Sequence, residues 1–253
     1  MSWVQALLLA GAGVLGGLTG SIAGLASVAT YPALLLIGLP PVAANVTNTT
    51  ALVFNAVGSI AGSRPELAGQ GAELKRLIPV AAAGGAAGAI LLLSTPAEGF
   101  EKAVPVLLAV ASVAILLPVT VRSGIVVSAR RQRRTRYLQG AAILGICVYG
   151  GYFGAAAGVL LLALLLRAGR AHLAVANAAK NVLLGTANAV AAVIFVVVAP
   201  VRWDAAIVLG LGCLLGSRLG PVVVRHAPSG PMRIAIGLSG LALAVQLGWD
   251  AYR

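Results

Sequence analysis

Long apolar runs, separated by short polar breaks, fill almost the whole sequence. Eight hydrophobic units can be read along the chain, at 3–38, 42–62, 76–94, 102–121, 138–167, 172–200, 203–225 and 231–249. A run of about 20 apolar residues is long enough to cross the hydrocarbon core of a bilayer as a helix. The pattern therefore predicts an all-α, polytopic membrane protein.

The composition excludes an ordinary soluble protein. Of the 253 residues, 60% are hydrophobic and 9% are charged, whereas soluble domains carry about 25% charged residues. The net charge of +12 does not indicate a nucleic-acid partner, because that would require a basic face on a soluble domain. Here the basic residues stand between apolar runs, so the expected surroundings are membrane lipid.

An internal repeat divides the chain into two membrane halves. A GxxGxxxG pattern occurs twice, and so does a pair of asparagines seven residues apart whose second member precedes Ala-Val. The matching positions are Gly17, Gly20 and Gly24 with Gly151, Gly154 and Gly158, and Asn48 and Asn55 with Asn181 and Asn188. A glycine-spaced run at 84–88 has a counterpart at 212–220. These matches predict an N-terminal repeat at 1–126, a basic linker at 127–136 and a C-terminal repeat at 137–253.

Charge placement predicts how the halves are oriented. If 3–38 and 138–167 are helical hairpins that enter and leave on one side, every basic cluster falls on the cytoplasmic side, as the positive-inside rule requires. The arginine-rich loop at 130–136 is then cytoplasmic, and the protein lies in the plasma (inner) membrane. The halves become inverted repeats, each with one broken, re-entrant hairpin and three spans, a recurrent design in transporters.

One charged residue lies deep inside a predicted span. Lys180 stands about eight residues into the run 172–200, and no carboxylate of the sequence is placed to neutralise it. A lysine at membrane depth indicates a functional site. Four explanations stay open at this point: a neutral amine, backbone carbonyl partners, snorkelling to the cytoplasmic interface, or a bound anion.

Polar side chains recur on two matching predicted helices and at the first hairpin tip. Helical spacing puts Asn177, Asn181 and Asn188 on one face, with Lys180 on its flank. The matching helix carries Asn45, Asn48, Thr49 and Asn55, and Ser21 lies near the first tip. Amides and hydroxyls are neutral donors that can replace the water around an anion. The same amides can instead tie transmembrane helices together.

The sequence contains no motif that indicates an enzyme. HExxH, GxSxG and a Walker A lysine are all missing. His172 and His226 are isolated, so neither a metal nor another cofactor is expected. Any active transport would have to be secondary.

Several stretches, in this order, resemble the TauE/SafE sulfite exporter family. They are VAANVTNT at 42–49, RPELAGQ at 64–70, GGYFG at 150–154, NAAKNV at 177–182 and the glycine run at 212–220. The resemblance covers essentially the whole chain and implies an integral plasma-membrane protein that moves sulfite, sulfonates or related organosulfur anions, generally outward. The first hairpin departs from the Gly-Gly-Gly stretch of many members, since it reads Gly24-Leu25-Ala26-Ser27.

These observations together predict a secondary transporter, not an enzyme, for a small sulfur-containing anion. Lys180 would supply the compensating charge, and the asparagine faces would supply neutral donors. Three alternatives stay open: a passive anion channel with the same site, a non-transport membrane partner that helps to assemble another complex, and, last, a membrane-embedded enzyme, for which no nucleophile–base pair can be named. The small-residue faces are equally compatible with a homodimer and with internal packing.

Overall fold

The computed structural model is helical throughout the residues that it describes, which are 1–100, 129–155, 157–167 and 173–226, with isolated positions between 102 and 113 and between 234 and 249. The helices of this part are α1 (Trp3–Ala23), α2 (Ala26–Leu36), α3 (Pro41–Gly62), α4 (Arg64–Leu67), α5 (Gly71–Ser94), α6 (Ala129–Tyr152), α7 (Ala157–Arg167), α8 (Leu173–Val198) and α9 (Trp203–His226).

Four of these helices are long and apolar enough to cross a membrane. They are α1, α5, α8 and the segment Trp203–Val224 of α9. Large apolar side chains such as Leu7, Val197 and Leu215 are exposed on the outside of the bundle, where lipid would cover them. The prediction of an all-α polytopic membrane protein is confirmed. The predicted units 102–121 and 231–249 lie almost wholly outside the described residues.

The first predicted run is broken into a helical hairpin. Gly24 ends α1 in the left-handed conformation, with φ of 78°, which glycine adopts without steric cost. The chain then turns back, so that α2 packs along the last turns of α1. A Cβ on Gly20 would come within 2.7 Å of the Ala26 Cβ, and one on Gly16 would overlap Thr30. Bulkier residues would therefore separate the two arms.

The second predicted run is also broken within its GxxGxxxG pattern, at the second glycine instead of the third. The run 138–167 divides into α6 and α7, and Gly154 between them has φ of 76°. The Tyr149 hydroxyl donates to the carbonyl of Ala155 at 2.7 Å across the turn. The described backbone is helical from Ala129 onward, so the run 130–136, which we predicted as a loop, belongs to α6. The boundary between the halves at 127–136 stays a prediction.

The two halves pack through their glycines in a reciprocal way. Along α1, a Cβ on Gly13 would meet α9 within 3.0 Å at Gly212. Along α5, a Cβ on Gly84 would come within 2.9 Å of the Leu144 carbonyl on α6. The first helix of each half thus contacts a glycine-spaced helix of the other half, which permits the backbones to approach closely.

The matching helices α3 and α8 run antiparallel to each other. A Cβ on Gly185 would come within 2.7 Å of the Ala56 Cβ. Nearer the end of α3, the Asn181 amide donates to the Ser63 hydroxyl at 3.4 Å. Because the residue number falls along α8 as it rises along α3, the helices run in opposite directions. This pair carries most of the polar residues singled out from the sequence.

Candidate functional site

The polar faces of α3 and α8 point into the protein, although they cross a largely apolar bundle. Most of the residues that the sequence predicted for the site are buried: Ser21, Asn45, Asn48, Thr49, Asn177, Lys180, Asn181 and Asn188. Asn55 is half-buried. Since buried polar groups are costly without partners, the contacts of each one decide what it does.

Lys180 bonds to the broken end of α1. Its side chain is 1% exposed, and Nζ donates to the carbonyls of Gly20 at 3.1 Å and Ser21 at 3.3 Å. The carboxyl end of a helix carries a partial negative charge, so an ammonium is stabilised there. Of the four explanations left open above, carbonyl partners are observed, and burial excludes snorkelling in this conformation.

Two asparagines tie each polar helix to the broken helix of the other half. The Asn177 amide on α8 donates to the Ser21 carbonyl on α1 at 2.9 Å. The Asn45 amide on α3 donates to the Tyr152 carbonyl at the end of α6 at 2.8 Å. The Oδ1 atoms of both asparagines are buried and have no hydrogen-bond partner. Each broken helix is thus capped in part by a side chain from the opposite half.

Asn48 is satisfied within its own half. Its Nδ2 donates to the Ser27 hydroxyl at 3.1 Å, and its Oδ1 accepts from the Thr30 hydroxyl at 2.6 Å. The Thr30 hydroxyl is also within 2.9 Å of the Ala26 carbonyl. These contacts fix α2 against α3. Nothing in the sequence indicated which amide the Ser27 and Thr30 hydroxyls meet.

A small cavity lies where α3 and α8 cross. Its volume is about 10 Å³, which is room for roughly one water molecule. The lining residues are Gly20, Asn55, Ala56, Ser59, Asn181, Leu184, Gly185 and Asn188. It contains both members of the repeated pair Asn55 and Asn188. Asn55 Oδ1 is buried without a partner.

The remaining predicted residues lie beside the cavity. Lys180 does not line it, although Gly20, whose carbonyl Lys180 binds, does. The Ser21 hydroxyl donates to Leu18 of its own helix at 3.0 Å, so Ser21 meets the site through its carbonyl. Arg218 is exposed on the outside of α9. Among the described residues, no group of three His, Cys, Asp or Glu side chains could hold a metal ion.

An aromatic cluster that the sequence did not predict packs around the second hairpin tip. The Phe153 ring packs edge-to-face on Tyr31 of α2, at 5.3 Å between centroids, and on Phe100 at 5.7 Å. Phe100 also contacts Tyr152 at 5.6 Å. Tyr31, Phe100 and Phe153 are all buried. Tyr31, Phe100 and the adjacent pair Tyr152-Phe153 stand far apart in the sequence, so no local spacing could have predicted the cluster.

Comparison with known proteins gives the family. The family model described as "Sulfite exporter TauE/SafE" matches residues 8–247. The probable membrane transporter protein YfcA of Escherichia coli strain K12 is 27% identical over 242 residues, which is 94% of this chain and 88% of YfcA. The YfcA proteins of the O6:H1 and O157:H7 strains match equally well. No solved structure matches at a significant level. The chain therefore belongs to the TauE/SafE sulfite exporter family, a family of multi-pass membrane transporters.

Proposed function

We propose that this protein is a secondary transporter that exports sulfite, a sulfonate or a related small organosulfur anion across the plasma membrane, and that it is not an enzyme. One observation carries the proposal. Two matching antiparallel helices, α3 and α8, bring the amides of Asn55, Asn181 and Asn188 around a cavity. The amino group of Lys180 lies beside this cavity, because it donates to the carbonyl of Gly20, which is one of the lining residues. The names of the family and of YfcA support a transporter with a small anionic substrate.

The proposed site divides two tasks between its residues. The asparagine amides offer donors that replace the hydration of an anion without adding a fixed charge. Lys180 supplies the positive charge, which acts on an anion in the cavity without direct contact because the interior screens charges weakly. Asn45, Asn48, Asn177, Thr49 and Ser21 hold the helices and hairpin tips that surround the site.

Transport requires the cavity to open. A space of about 10 Å³ admits roughly one water molecule, whereas sulfite has four heavy atoms. We propose that the halves are inverted repeats, because α3 and α8 run antiparallel and the α1–α9 and α5–α6 contacts correspond. Rocking of one half against the other would then open the site to each side in turn.

The orientation in the membrane follows the charge distribution. We place the basic segment 130–136 in the cytoplasm, in line with the positive-inside rule. Lipid would cover the exposed apolar faces. The tight glycine contacts of α1 with α9 and of α5 with α6 use small-residue faces inside one chain, and a homodimer would have to use other surfaces.

Anion flux in proteoliposomes tests the proposal directly. Sulfite, thiosulfate and a short sulfonate are compared, with and without a proton gradient, for the wild type, Lys180→Gln and the control Thr186→Val. Thr186 lies on the same helix and bonds to Val182 of that helix. We expect saturable flux that Lys180→Gln reduces at least about tenfold and that Thr186→Val leaves unchanged, since removal of a site charge costs more than about 1.4 kcal/mol.

The other outcomes separate the alternatives. A flux that does not saturate with anion concentration, and that depends on the anion gradient but not on the proton gradient, would identify a channel. Flux of none of the three anions, from protein that is folded, would favour a role as a membrane partner of another complex. Normal flux in Lys180→Gln would contradict the charge-compensating role of Lys180.

A further inference from the structure

We propose that the transported species is a monoanion that carries its own hydrogen-bond donor, an O–H or N–H group, into the cavity between α3 and α8. The inference rests on the proposed function and concerns the chemistry of the ligand at the same site. Hydrogen sulfite and hydroxyl-bearing sulfonates belong to this class. The sulfite dianion and simple alkyl sulfonates do not.

The cavity is lined by groups that accept as well as donate hydrogen bonds. Asn55 and Asn188, the matched asparagines of the two halves, both border it. Whichever way an amide is turned, it presents one oxygen acceptor and one NH₂ donor. The Ser59 hydroxyl, also in the lining, uses its proton on the Ala56 carbonyl at 3.1 Å, so it meets a ligand only as an acceptor.

The acceptor of Asn55 decides which ligand fits. Its Oδ1 is buried and has no hydrogen-bond partner, and a buried acceptor that stays unsatisfied is costly. An anion that has only acceptor atoms would satisfy the NH₂ ends of the amides and place negative oxygens against this carbonyl. A ligand with one O–H or N–H group satisfies both ends of the amides.

The charge of the site points to a single negative charge on the ligand. Lys180 is the one buried cation among the side chains that the structure describes, and its amino group is shared with the Gly20 and Ser21 carbonyls. One positive charge balances a monoanion. The second charge of a dianion would enter a poorly solvated interior without a partner, which is strongly unfavourable.

A matched pair of competitors tests the proposal. Ethanesulfonate and 2-hydroxyethanesulfonate carry the same charge on the same two-carbon chain and differ by one hydroxyl. Each is titrated against the flux of labelled sulfite into proteoliposomes of the wild-type protein. We expect the hydroxylated competitor to be about tenfold more effective, the scale of one hydrogen bond made in a buried site. Taurine, tested beside them, carries N–H donors but no net charge, and we expect it to compete less well than 2-hydroxyethanesulfonate because the site favours a monoanion.

Variants locate the effect at the cavity. Asn55→Leu removes the unpartnered acceptor, and we expect it to bring the two competitors to within about twofold of each other, while Thr186→Val keeps the wild-type ratio. Ligand-induced thermal stabilisation gives the same ratio if the variant no longer transports. Asn188→Leu serves as a second variant should Asn55→Leu fail to fold.

The outcomes distinguish this inference from the proposed function. Equal competition by both sulfonates in the wild type, with sulfite flux intact, would overturn the donor requirement alone and would mean that water satisfies Asn55. Absence of flux of sulfite, thiosulfate and the short sulfonate alike, from folded protein, would overturn the proposed function, and this inference with it.

Discussion

The backbones of Gly24 and Gly158 lie directly against each other. A Cβ placed on either glycine would overlap the backbone of the other. They are the third glycines of the two GxxGxxxG patterns, so the repeat visible in the sequence becomes a contact between the two hairpin tips. The end of α1 and the start of α7 meet there. The neighbouring carbonyls of Ser21 and Gly20 accept hydrogen bonds from Asn177 and Lys180.

This contact predicts that neither glycine tolerates a side chain. We expect Gly158→Ala to destabilise the protein by about 1–3 kcal/mol, the usual cost of overpacking, and to lower the midpoint of thermal unfolding in detergent. The control is Gly145→Ala on the exposed side of α6, where a Cβ meets nothing within 4 Å. Its higher helix propensity should stabilise the protein slightly. Equal midpoints for the two variants would contradict the contact.

Much of this arrangement could be predicted from the sequence, because the repeat is encoded locally. The hairpin breaks fall at the predicted GxxGxxxG patterns, and Lys180 is as deeply buried as its position in an apolar run indicated. The partners of Lys180 were beyond prediction, since Gly20 and Ser21 stand about 160 residues away and no spacing indicates which helix ends meet. Backbone carbonyls have no sequence signature of their own.

The two asparagines of α3 illustrate the same limit. Asn48 and Asn55 lie seven residues apart on one helix, yet Asn48 is bonded at both ends of its amide and Asn55 Oδ1 has no partner. The difference arises from what opposes each residue. Asn48 faces the hydroxyls of α2, and Asn55 faces the cavity between α3 and α8. Identical residues at regular spacing therefore carry different roles that only tertiary contacts reveal.

The contrast predicts opposite effects of one substitution on the same helix. Asn48→Leu breaks two buried hydrogen bonds and removes the donor to the Ser27 hydroxyl, although Thr30 keeps the Ala26 carbonyl. We expect a loss of about 2–4 kcal/mol. Asn55→Leu removes an acceptor that is already unsatisfied, so the stability should stay within about 1 kcal/mol of the wild type or rise. Thermal unfolding of both variants in the same detergent measures this, and a larger loss for Asn55→Leu would be inconsistent with the assigned contacts.

We expect replacement of Lys180 to abolish anion flux without lowering the stability of the protein. In Lys180→Met the carbonyls of Gly20 and Ser21 keep other donors, the Gly24 amide at 2.7 Å and the Asn177 amide at 2.9 Å. A buried charge carries a desolvation penalty of several kcal/mol, which the apolar methionine side chain does not have. We expect an unchanged or higher unfolding midpoint together with loss of anion flux. A marked fall in the midpoint would mean that Lys180 mainly holds the first tip in place.

The helix directions predict opposite membrane sides for two exposed positions. Ala68 follows α4 and is exposed. It lies near the start of α8, where Gln70 donates to the Val175 carbonyl at 3.2 Å. Arg202 lies past the other end of α8, where its backbone N–H donates to the Thr47 hydroxyl at 3.1 Å. We expect a cysteine at 68 to react with a membrane-impermeant thiol reagent from the cytoplasm, and a cysteine at 202 only from outside.

The background of this experiment is low because Cys147 and Cys213 are both buried. The wild type, carrying only these two thiols, is the labelling control, and the Arg202–Asp204 ion pair lost in Arg202→Cys is exposed and contributes little to stability. Labelling of position 68 from outside would reverse the orientation deduced from the basic clusters. The 26 residues of α8 form a helix about 39 Å long, which is longer than the hydrocarbon core of a bilayer is thick, about 30 Å. If both positions were labelled from the same side, α8 could not span the membrane completely.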